Sequence, residues 1–365
     1  MRKETKINLI LLGGTIILCV ILLEMTLPFF LPLHYDTVGI YATDNQLGWG
    51  LKTETELQND LGKNEFAINE EGYRGPIKEH QEGKTNILVL ADSFGFGGAL
   101  NVGERFSEQM ETENIDFNVI NLGVGGYGTD QERLLYTKVK EKYNPEIVIL
   151  LLYTENDFSD NKKKEGKPYY TITNNEFTLN NYPIQESVIS ETKSFKKTIL
   201  KKSELYRLIT TIVSNNPQVD KIAQRLNLGE GHSNYCKDLN KNVFAKEMDT
   251  KITTAIIEDL AKEVIKDKKT LIVGIIPADY QVQPKRFWKS IEAFGCNKED
   301  FDLEKPNKIL GAFLKEKEIL FIDFLPEFKQ TEEDTYIPAP DRHLNKEGNK
   351  ILAKKITEKI RTILQ

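Results

Sequence analysis

The sequence NILVLADSFGFGG at residues 86–98 decides the fold, because it joins a buried strand to an abrupt glycine-rich turn. The apolar run at 86–90 is typical of a strand in a parallel sheet. The small residues and glycines that follow predict a sharp turn at its carboxyl end. In open α/β sheets, that end borders the crevice where ligands bind. Ser93 is therefore placed where a hydroxyl could attack an electrophile, provided that a base lies near it.

Strands and helices alternate from residue 86 to the end of the chain. Strands are predicted at 86–90, 117–122, 146–152, 271–276 and 320–323, and helices at 104–113, 130–142 and 346–364. This alternation indicates an α/β fold with a doubly wound parallel sheet. Between residues 158 and 246 the alternation stops, and about ninety residues is far too long for an ordinary connection. We interpret 158–246 as a helical insertion, either an element over the active-site edge or a structural excursion.

The first 33 residues differ from the rest of the chain. An apolar stretch of 17 residues, from 7 to 23 and interrupted only by Asn8, reaches the minimum length of a transmembrane helix. Three basic residues precede it and none follows before Lys52, which predicts a single-pass protein with its main part outside the cytoplasm. A cleaved signal peptide is the alternative. We expect a membrane anchor at 1–33, a juxtamembrane segment at 34–85 that packs on the main domain, and the main domain at 86–365.

Composition limits the class of protein. The 365 residues are 39% hydrophobic and 28% charged, which is typical of a folded globular chain. The net charge of −6 argues against a nucleic-acid partner, which would normally require a basic surface. No spacing of Cys and His resembles a metal site, and none is predicted. A disulfide between Cys236 and Cys296 is possible in an oxidising compartment.

Three further loops could supply partners for Ser93. His343 precedes the last helix, and Asp341 two residues earlier can orient its imidazole and fix the tautomer. The glycine-rich loop at 121–129 contains Gly126, and backbone N–H groups of such a loop can approach a developing oxyanion. Asn156, after the third strand, can donate a further hydrogen bond. Because the carboxyl ends of parallel strands meet at one sheet edge, we expect these loops to lie together.

With these four loops in this order, the chain resembles the SGNH (GDSL-like) hydrolase superfamily over residues 86–365, excluding the insertion. The resemblance implies a flavodoxin-like sheet and a serine esterase that requires no cofactor. It implies that Ser93 is the nucleophile, His343 the base and Asp341 the acid. It also implies an oxyanion hole formed by the N–H groups of Ser93 and Gly126 and by the amide of Asn156.

The chain departs from the family pattern at two positions. Ala91 replaces the usual glycine before Asp-Ser, and the usual Asp-x-x-His is one residue shorter here. The shorter spacing resembles the membrane-anchored branch related to the alginate O-acetylation proteins, as does the segment at 69–75. The implied substrate is an acyl ester or an O-acetylated carbohydrate. Two alternatives stay open: transfer of the acyl group to a sugar hydroxyl, and glycan binding without turnover.

The glycines at 123–128 also match the pattern G-x-G-x-x-G, which is typical of dinucleotide-binding proteins. That fingerprint normally follows the first strand of its fold, whereas this one follows the second predicted strand. An extracytoplasmic domain would also meet little NAD. A dinucleotide-binding protein is therefore the weaker interpretation, and nicotinamide or flavin absorbance in the purified protein would support it.

Overall fold

The computed structural model describes residues 3–30, 39–58, 64–174, 176–184, 203–216, 218–219, 221–222, 250–338 and 341–365. Its strands are β1 (Tyr41–Asp44), β2 (Gly48–Leu51), β3 (Thr55–Gln58), β4 (Asn64–Ile68), β5 (Thr85–Leu90), β6 (Phe117–Asn121), β7 (Ile147–Tyr153), β8 (Tyr169–Thr173), β9 (Glu176–Asn180), β10 (Thr270–Ile276) and β11 (Leu320–Asp323).

The helices are α1 (Lys3–Thr26), α2 (Ser93–Phe96), α3 (Phe106–Glu113), α4 (Thr129–Tyr143), α5 (Asp157–Asp160), α6 (Glu204–Asn215), α7 (Lys251–Lys266), α8 (Asp279–Val282), α9 (Lys285–Phe294), α10 (Lys305–Glu316), α11 (Leu325–Gln330) and α12 (Lys346–Leu364). Short 3-10 turns occupy Leu27–Phe29 and Lys298–Asp300. Helices α3 and α12 contact each other, and α3 also contacts β6. Helix α4 contacts both α7 and β5.

The centre of the fold is a five-stranded parallel sheet in the order β11-β10-β7-β5-β6. The α/β class and these five strands are confirmed, with bounds that differ from the predicted ones by at most one residue. All seven residues of β7 are buried, as expected for a strand that is covered on both faces. The chain leaves β5 toward β6 on one side and returns to β7 on the other. This switch point creates a crevice at the carboxyl ends of β5 and β7.

The description of the insertion at 158–246 as helical was incomplete. Helix α6 agrees with the helical interpretation, but β8 and β9 form an antiparallel hairpin. All five residues of β8 are aromatic or β-branched, β9 contains Phe177 and Thr178, and Asn174 between the strands has a φ of 52°. Much of the insertion, including Cys236, lies outside the described residues. Cys296 is disulfide-bonded.

The predicted membrane anchor forms a helix, α1, over most of its length. Within the described residues, however, no helix combines the length and the apolarity needed to cross a bilayer. Lys6 and Glu24 bracket the apolar stretch, whose 17 residues extend only about 26 Å at about 1.5 Å per residue. The carboxylate of Glu24 accepts hydrogen bonds at the start of α6, from Ser203 Oγ (2.5 Å) and the Glu204 N–H (2.7 Å). The transmembrane prediction is therefore not supported, and the extracytoplasmic location stays a prediction.

Candidate active site

Ser93 begins the short helix α2 at the carboxyl end of β5. The side chain of Asp92 caps this helix, because its Oδ1 accepts a hydrogen bond from the Phe94 N–H at 2.8 Å. Gly97 ends the helix in the left-handed conformation, with a φ of 64°. There is no room for a side chain at Gly95, because a Cβ there would lie 2.4 Å from the Cβ of Ala91. The turn thus accepts alanine at 91 because residue 95 is glycine.

Ser93, His343 and Asp341 come together in the structure. The Nε2 atom of His343 lies 2.8 Å from Ser93 Oγ, and its Nδ1 atom lies 2.9 Å from Asp341 Oδ1. The His343 backbone N–H also donates to Asp341 Oδ1, at 3.0 Å. A carboxylate beside Nδ1 favours the tautomer that is protonated there, which leaves Nε2 able to accept the serine proton. The spacing between Asp341 and His343, one residue shorter than Asp-x-x-His, therefore still allows a serine–histidine–aspartate chain of hydrogen bonds.

The loop that carries His343 is held by backbone pairing to the segment before it. Tyr336 and Leu344 form an antiparallel bridge, and the Ile337 N–H donates to the His343 carbonyl at 2.8 Å. The Tyr336 hydroxyl donates to the carbonyl of Pro277, just beyond β10, at 2.5 Å. These contacts attach the loop to the edge of the sheet where Ser93 lies.

The environment of His343 adjusts its basicity. Desolvation lowers the pKa of the imidazole, but the hydrogen bond and the charge of Asp341, with a contribution from Asp92, raise that pKa above its usual value. The ring of Phe94 lies 5.1 Å from that of His343 and stacks on Tyr153 at 3.8 Å. Phe94 and Tyr153 therefore form an apolar surface beside His343, whose basicity is increased.

The glycine-rich loop after β6 packs closely against α2. Asn121 Nδ2 donates to the carbonyl of Gly95 at 2.9 Å. A Cβ on Gly123 would lie 2.4 Å from the carbonyl carbon of Gly95, so the close approach of the two loops requires glycine at 123. Gly126 is exposed and has a φ of 80°. The loop thus lies beside Ser93, and the role of the Gly126 N–H as an oxyanion donor stays a prediction.

Asn156 lies next to Asp92, a residue for which no role was predicted from the sequence. Its Nδ2 donates to Asp92 Oδ2 at 3.0 Å. Asp92 is 1% exposed, and burial raises the pKa of its carboxyl, while the hydrogen bond from Asn156 opposes this rise. The capping position of Asp92 before α2 was the signal in the sequence. An amide nitrogen carries two hydrogens, so Asn156 can bond to Asp92 and still offer the other one to an oxyanion.

Two further carboxyl groups are buried behind Asp92. Glu132 is fully buried, and neither of its carboxyl oxygens has a hydrogen-bond partner among the described residues. Asp157 accepts from the Tyr153 N–H at 2.6 Å, and its other oxygen is likewise without a partner there. Burial raises the pKa of both groups well above the usual value, and the charge of Asp92 contributes to each rise. Within the part of the chain that the structure describes, no group of acidic, His or Cys side chains is arranged to hold a metal ion.

Comparison with known proteins found similarity only at the level of structure. No protein-family model and no curated protein matches the chain. Among solved structures, a member of the lipolytic G-D-S-L family from Veillonella parvula is 15% identical, with a TM-score of 0.38, over 75% of this chain and 96% of that one. A GDSL-like lipase from Bacteroides thetaiotaomicron is 12% identical, with a TM-score of 0.38, over 78% and 93%. A catalytic mutant of an acetylxylan esterase from Geobacillus stearothermophilus is 13% identical, with a TM-score of 0.37, over 78% and 96%. Similarities this low do not assign an activity.

Proposed function

We propose that the chain is a serine-dependent esterase that forms an acyl-enzyme on Ser93. The observation that carries this proposal is the hydrogen-bonded chain Ser93–His343–Asp341, with contacts of 2.8 and 2.9 Å. A serine hydroxyl is a weak nucleophile until a base accepts its proton. His343 is placed to be that base, and Asp341 to stabilise the imidazolium that forms.

In the proposed reaction, Ser93 Oγ attacks the acyl carbon while its proton moves to His343 Nε2. The carbonyl oxygen becomes an oxyanion, which the N–H groups of Ser93 and Gly126 and the amide of Asn156 stabilise. The carbon–oxygen bond to the leaving alcohol then breaks, and His343 gives its proton to that alcohol. Water, deprotonated by the same histidine, attacks the acyl-enzyme, and the acid is released with Ser93 restored. Apart from substrate and water, these steps use only groups of the chain itself.

Acyl esters and O-acetylated carbohydrates are the classes that we propose to test first. The same acyl-enzyme could pass its acyl group to a sugar hydroxyl instead of water, because both acceptors attack the same carbonyl carbon. The choice between the two acceptors is therefore an outcome to be measured.

The test compares S93A with the matched control S290A in the full chain. Among the described residues, the Ser290 hydroxyl bonds within its own helix, where it donates to the Arg286 carbonyl at 3.1 Å. Loss of the nucleophile should reduce p-nitrophenyl acetate turnover by at least about 10³-fold. S290A should keep its turnover, and circular dichroism should show both variants folded.

Labelling by a fluorophosphonate probe supplies a second readout that does not require the natural substrate. The wild-type chain should be labelled and S93A should not. Adding an acetyl donor together with a sugar acceptor separates the two fates of the acyl group, since acetylated sugar indicates a transferase. If the wild type neither turns over the ester nor reacts with the probe, the proposal is wrong and a binding protein becomes the better interpretation.

A further inference from the structure

The β1–β2 hairpin, residues 41–51, is attached to the glycine-rich loop beside Ser93. Trp49 Nε1 donates to the Gly125 carbonyl at 3.1 Å, and the Tyr127 hydroxyl donates to the Trp49 carbonyl at 2.5 Å. Gln131 Nε2 donates to the Leu47 carbonyl at 2.7 Å. In the first bond a side chain of the hairpin donates to the backbone of the loop. In the other two, backbone carbonyls of the hairpin accept from the side chains of Tyr127 and Gln131. The hairpin therefore fixes the position of this loop and forms one side of the candidate site.

The same hairpin places the hydroxyl of Tyr41 close to Ser93. A Cβ built on Gly125 would lie 2.3 Å from Tyr41 Oη and 3.9 Å from Ser93 Cβ. The two distances together put the hydroxyl oxygen within about 6 Å of Ser93 Cβ. Because Gly125 directly precedes Gly126, the hydroxyl also lies on the side of Ser93 where the oxyanion is expected.

The chemical state of Tyr41 suits a hydrogen-bond donor. Burial and the nearby negative charge of Asp92 raise the pKa of its hydroxyl above the usual value, so the group stays protonated at neutral pH. Among the described residues, no acceptor is hydrogen-bonded to this hydroxyl. Its proton is thus available to a ligand. A partly buried, protonated phenol close to a nucleophile is suited to stabilise charge that develops during the reaction.

We propose that Tyr41 is a further catalytic residue, whose hydroxyl donates a hydrogen bond to the acyl oxygen of the substrate when Ser93 attacks. This inference rests on the proposed esterase function and deepens it. The segment ahead of the main domain then supplies part of the active site. The bond is strongest when the oxygen carries a full negative charge, so it lowers the barrier more than it tightens substrate binding.

The first test compares Y41F with the control Y136F. Tyr136 lies on α4, where its hydroxyl donates to Asp267 at 2.9 Å, so this control removes a bonded hydroxyl outside the site. Loss of one oxyanion donor typically lowers kcat by about 10²–10³-fold. We expect a loss of this order for p-nitrophenyl acetate in Y41F, with KM changed less than about threefold. Fluorophosphonate labelling of Ser93 should slow in parallel, whereas Y136F should match the wild type in both assays.

A second variant tests the geometry. In G125A the new Cβ would meet Tyr41 Oη at 2.3 Å but Tyr41 Cζ only at 3.5 Å, an ordinary contact. G125A should therefore displace the hydroxyl and lower kcat about as much as Y41F does. The same change made in Y41F should add little, because the colliding atom is already absent. Losses that multiply in the double variant would contradict this placement of Tyr41.

The outcomes separate this inference from the proposed function. If S93A abolishes turnover while folded Y41F keeps the kcat of the wild type, the esterase function stands and the role of Tyr41 is wrong. If S93A keeps its turnover, the proposed function itself is wrong. If Y41F shows a raised KM with an unchanged kcat, Tyr41 binds the substrate without stabilising the transition state, which also contradicts the inference.

Discussion

At the scale of single residues, the position of His343 depends on a local strain that the sequence does not reveal. Arg342, between Asp341 and His343, has a φ of 62°, in the left-handed region that side chains other than Asn and Gly rarely occupy. Its guanidinium lies 4.8 Å above the ring of Tyr280 and donates to the hydroxyl of that residue at 2.5 Å. This anchoring compensates for the strain. The left-handed residue turns the chain so that Asp341 and His343 face each other despite their short spacing.

The basicity of His343 leads to a prediction for D341N. The reaction requires neutral His343, so kcat/KM should fall as the pH drops through the pKa of this imidazole, which Asp341 raises above its usual value. D341N removes that effect, and the acid limb of the pH profile should move to lower pH. The maximum should fall on the order of 10³–10⁴-fold, because the imidazole loses its orienting acceptor. Profiles of p-nitrophenyl acetate turnover from pH 5 to 9 measure both changes.

Asp334 provides the control for D341N because it lies in the same loop region and bonds to Gln283 at 3.1 Å, not to His343. D334N should keep both the maximum and the midpoint of the wild type. An acid limb of D341N that stays in place, or moves to higher pH, would contradict the assignment of Asp341.

At the scale of elements, the sequence predicted the regular parts of the fold because each had a strong local pattern of apolar residues. The five core strands are nearly continuous apolar runs, and α12 has its full predicted extent. The β8–β9 hairpin was missed because its aromatic and threonine residues lie in a long polar segment. The β1–β2 hairpin lies in the segment at 34–85, for which no individual strand was predicted. Its contact with Gly125 joins residues far apart in sequence, for which no local pattern exists.

A buried ion pair that holds the insertion against α4 also joins residues far apart in sequence, so no local pattern predicted it. Lys167 Nζ lies 2.7 Å from both oxygens of Asp130, and the two side chains are 2% and 0% exposed. K167M should destabilise the fold by roughly 3–5 kcal/mol, because it leaves Asp130 buried without its partner. Urea denaturation at pH 7 measures the free energy of unfolding.

Two variants make this measurement specific. The control K262M removes an exposed lysine that pairs with the partly exposed Glu258, and it should cost no more than about 1 kcal/mol. The double variant K167M/D130N removes both charges and should recover part of the stability. Burial raises the pKa of Asp130, so the deficit of K167M should also shrink at lower pH, where this carboxyl is neutral in the folded state. A deficit as small as that of K262M would contradict the stabilising role of the Lys167–Asp130 pair.

At the scale of the whole molecule, the edge of the sheet that carries Ser93 also concentrates buried acids. Asp92, Glu132 and Asp157 come from three different elements, and each is at most 1% exposed. Burying three carboxylates together would be costly if all were ionised, since desolvation and mutual repulsion add. The Asp92 carboxylate accepts hydrogen bonds from the Phe94 N–H and from the Asn156 amide. Negative charge on Asp92 strengthens both bonds and so stabilises the loop that carries Ser93. Burial and the charge of Asp92 therefore favour the protonated forms of Glu132 and Asp157.

Glu132 allows this proton retention to be measured as stability. Its pKa in the folded state is raised well above the usual value, which approximates that of the unfolded chain. Between these two pKa values the folded state binds more protons than the unfolded state, so the free energy of unfolding should fall as the pH rises. E132Q keeps the shape of the protonated acid but cannot ionise, and it should lose this part of the decline between pH 5 and 8. Each pKa unit of difference corresponds to about 1.4 kcal/mol.

E141Q is the matched control because Glu141 lies exposed on the same helix α4. Urea denaturation at pH 5, 6.5 and 8 should show E132Q gaining stability relative to the wild type as the pH rises, while E141Q follows the wild type throughout. The S93A background, in which turnover is absent, should show the same gain, because the effect belongs to the fold and not to the reaction. Equal pH dependence in E132Q and E141Q would mean that Glu132 is ionised and paired in the folded protein.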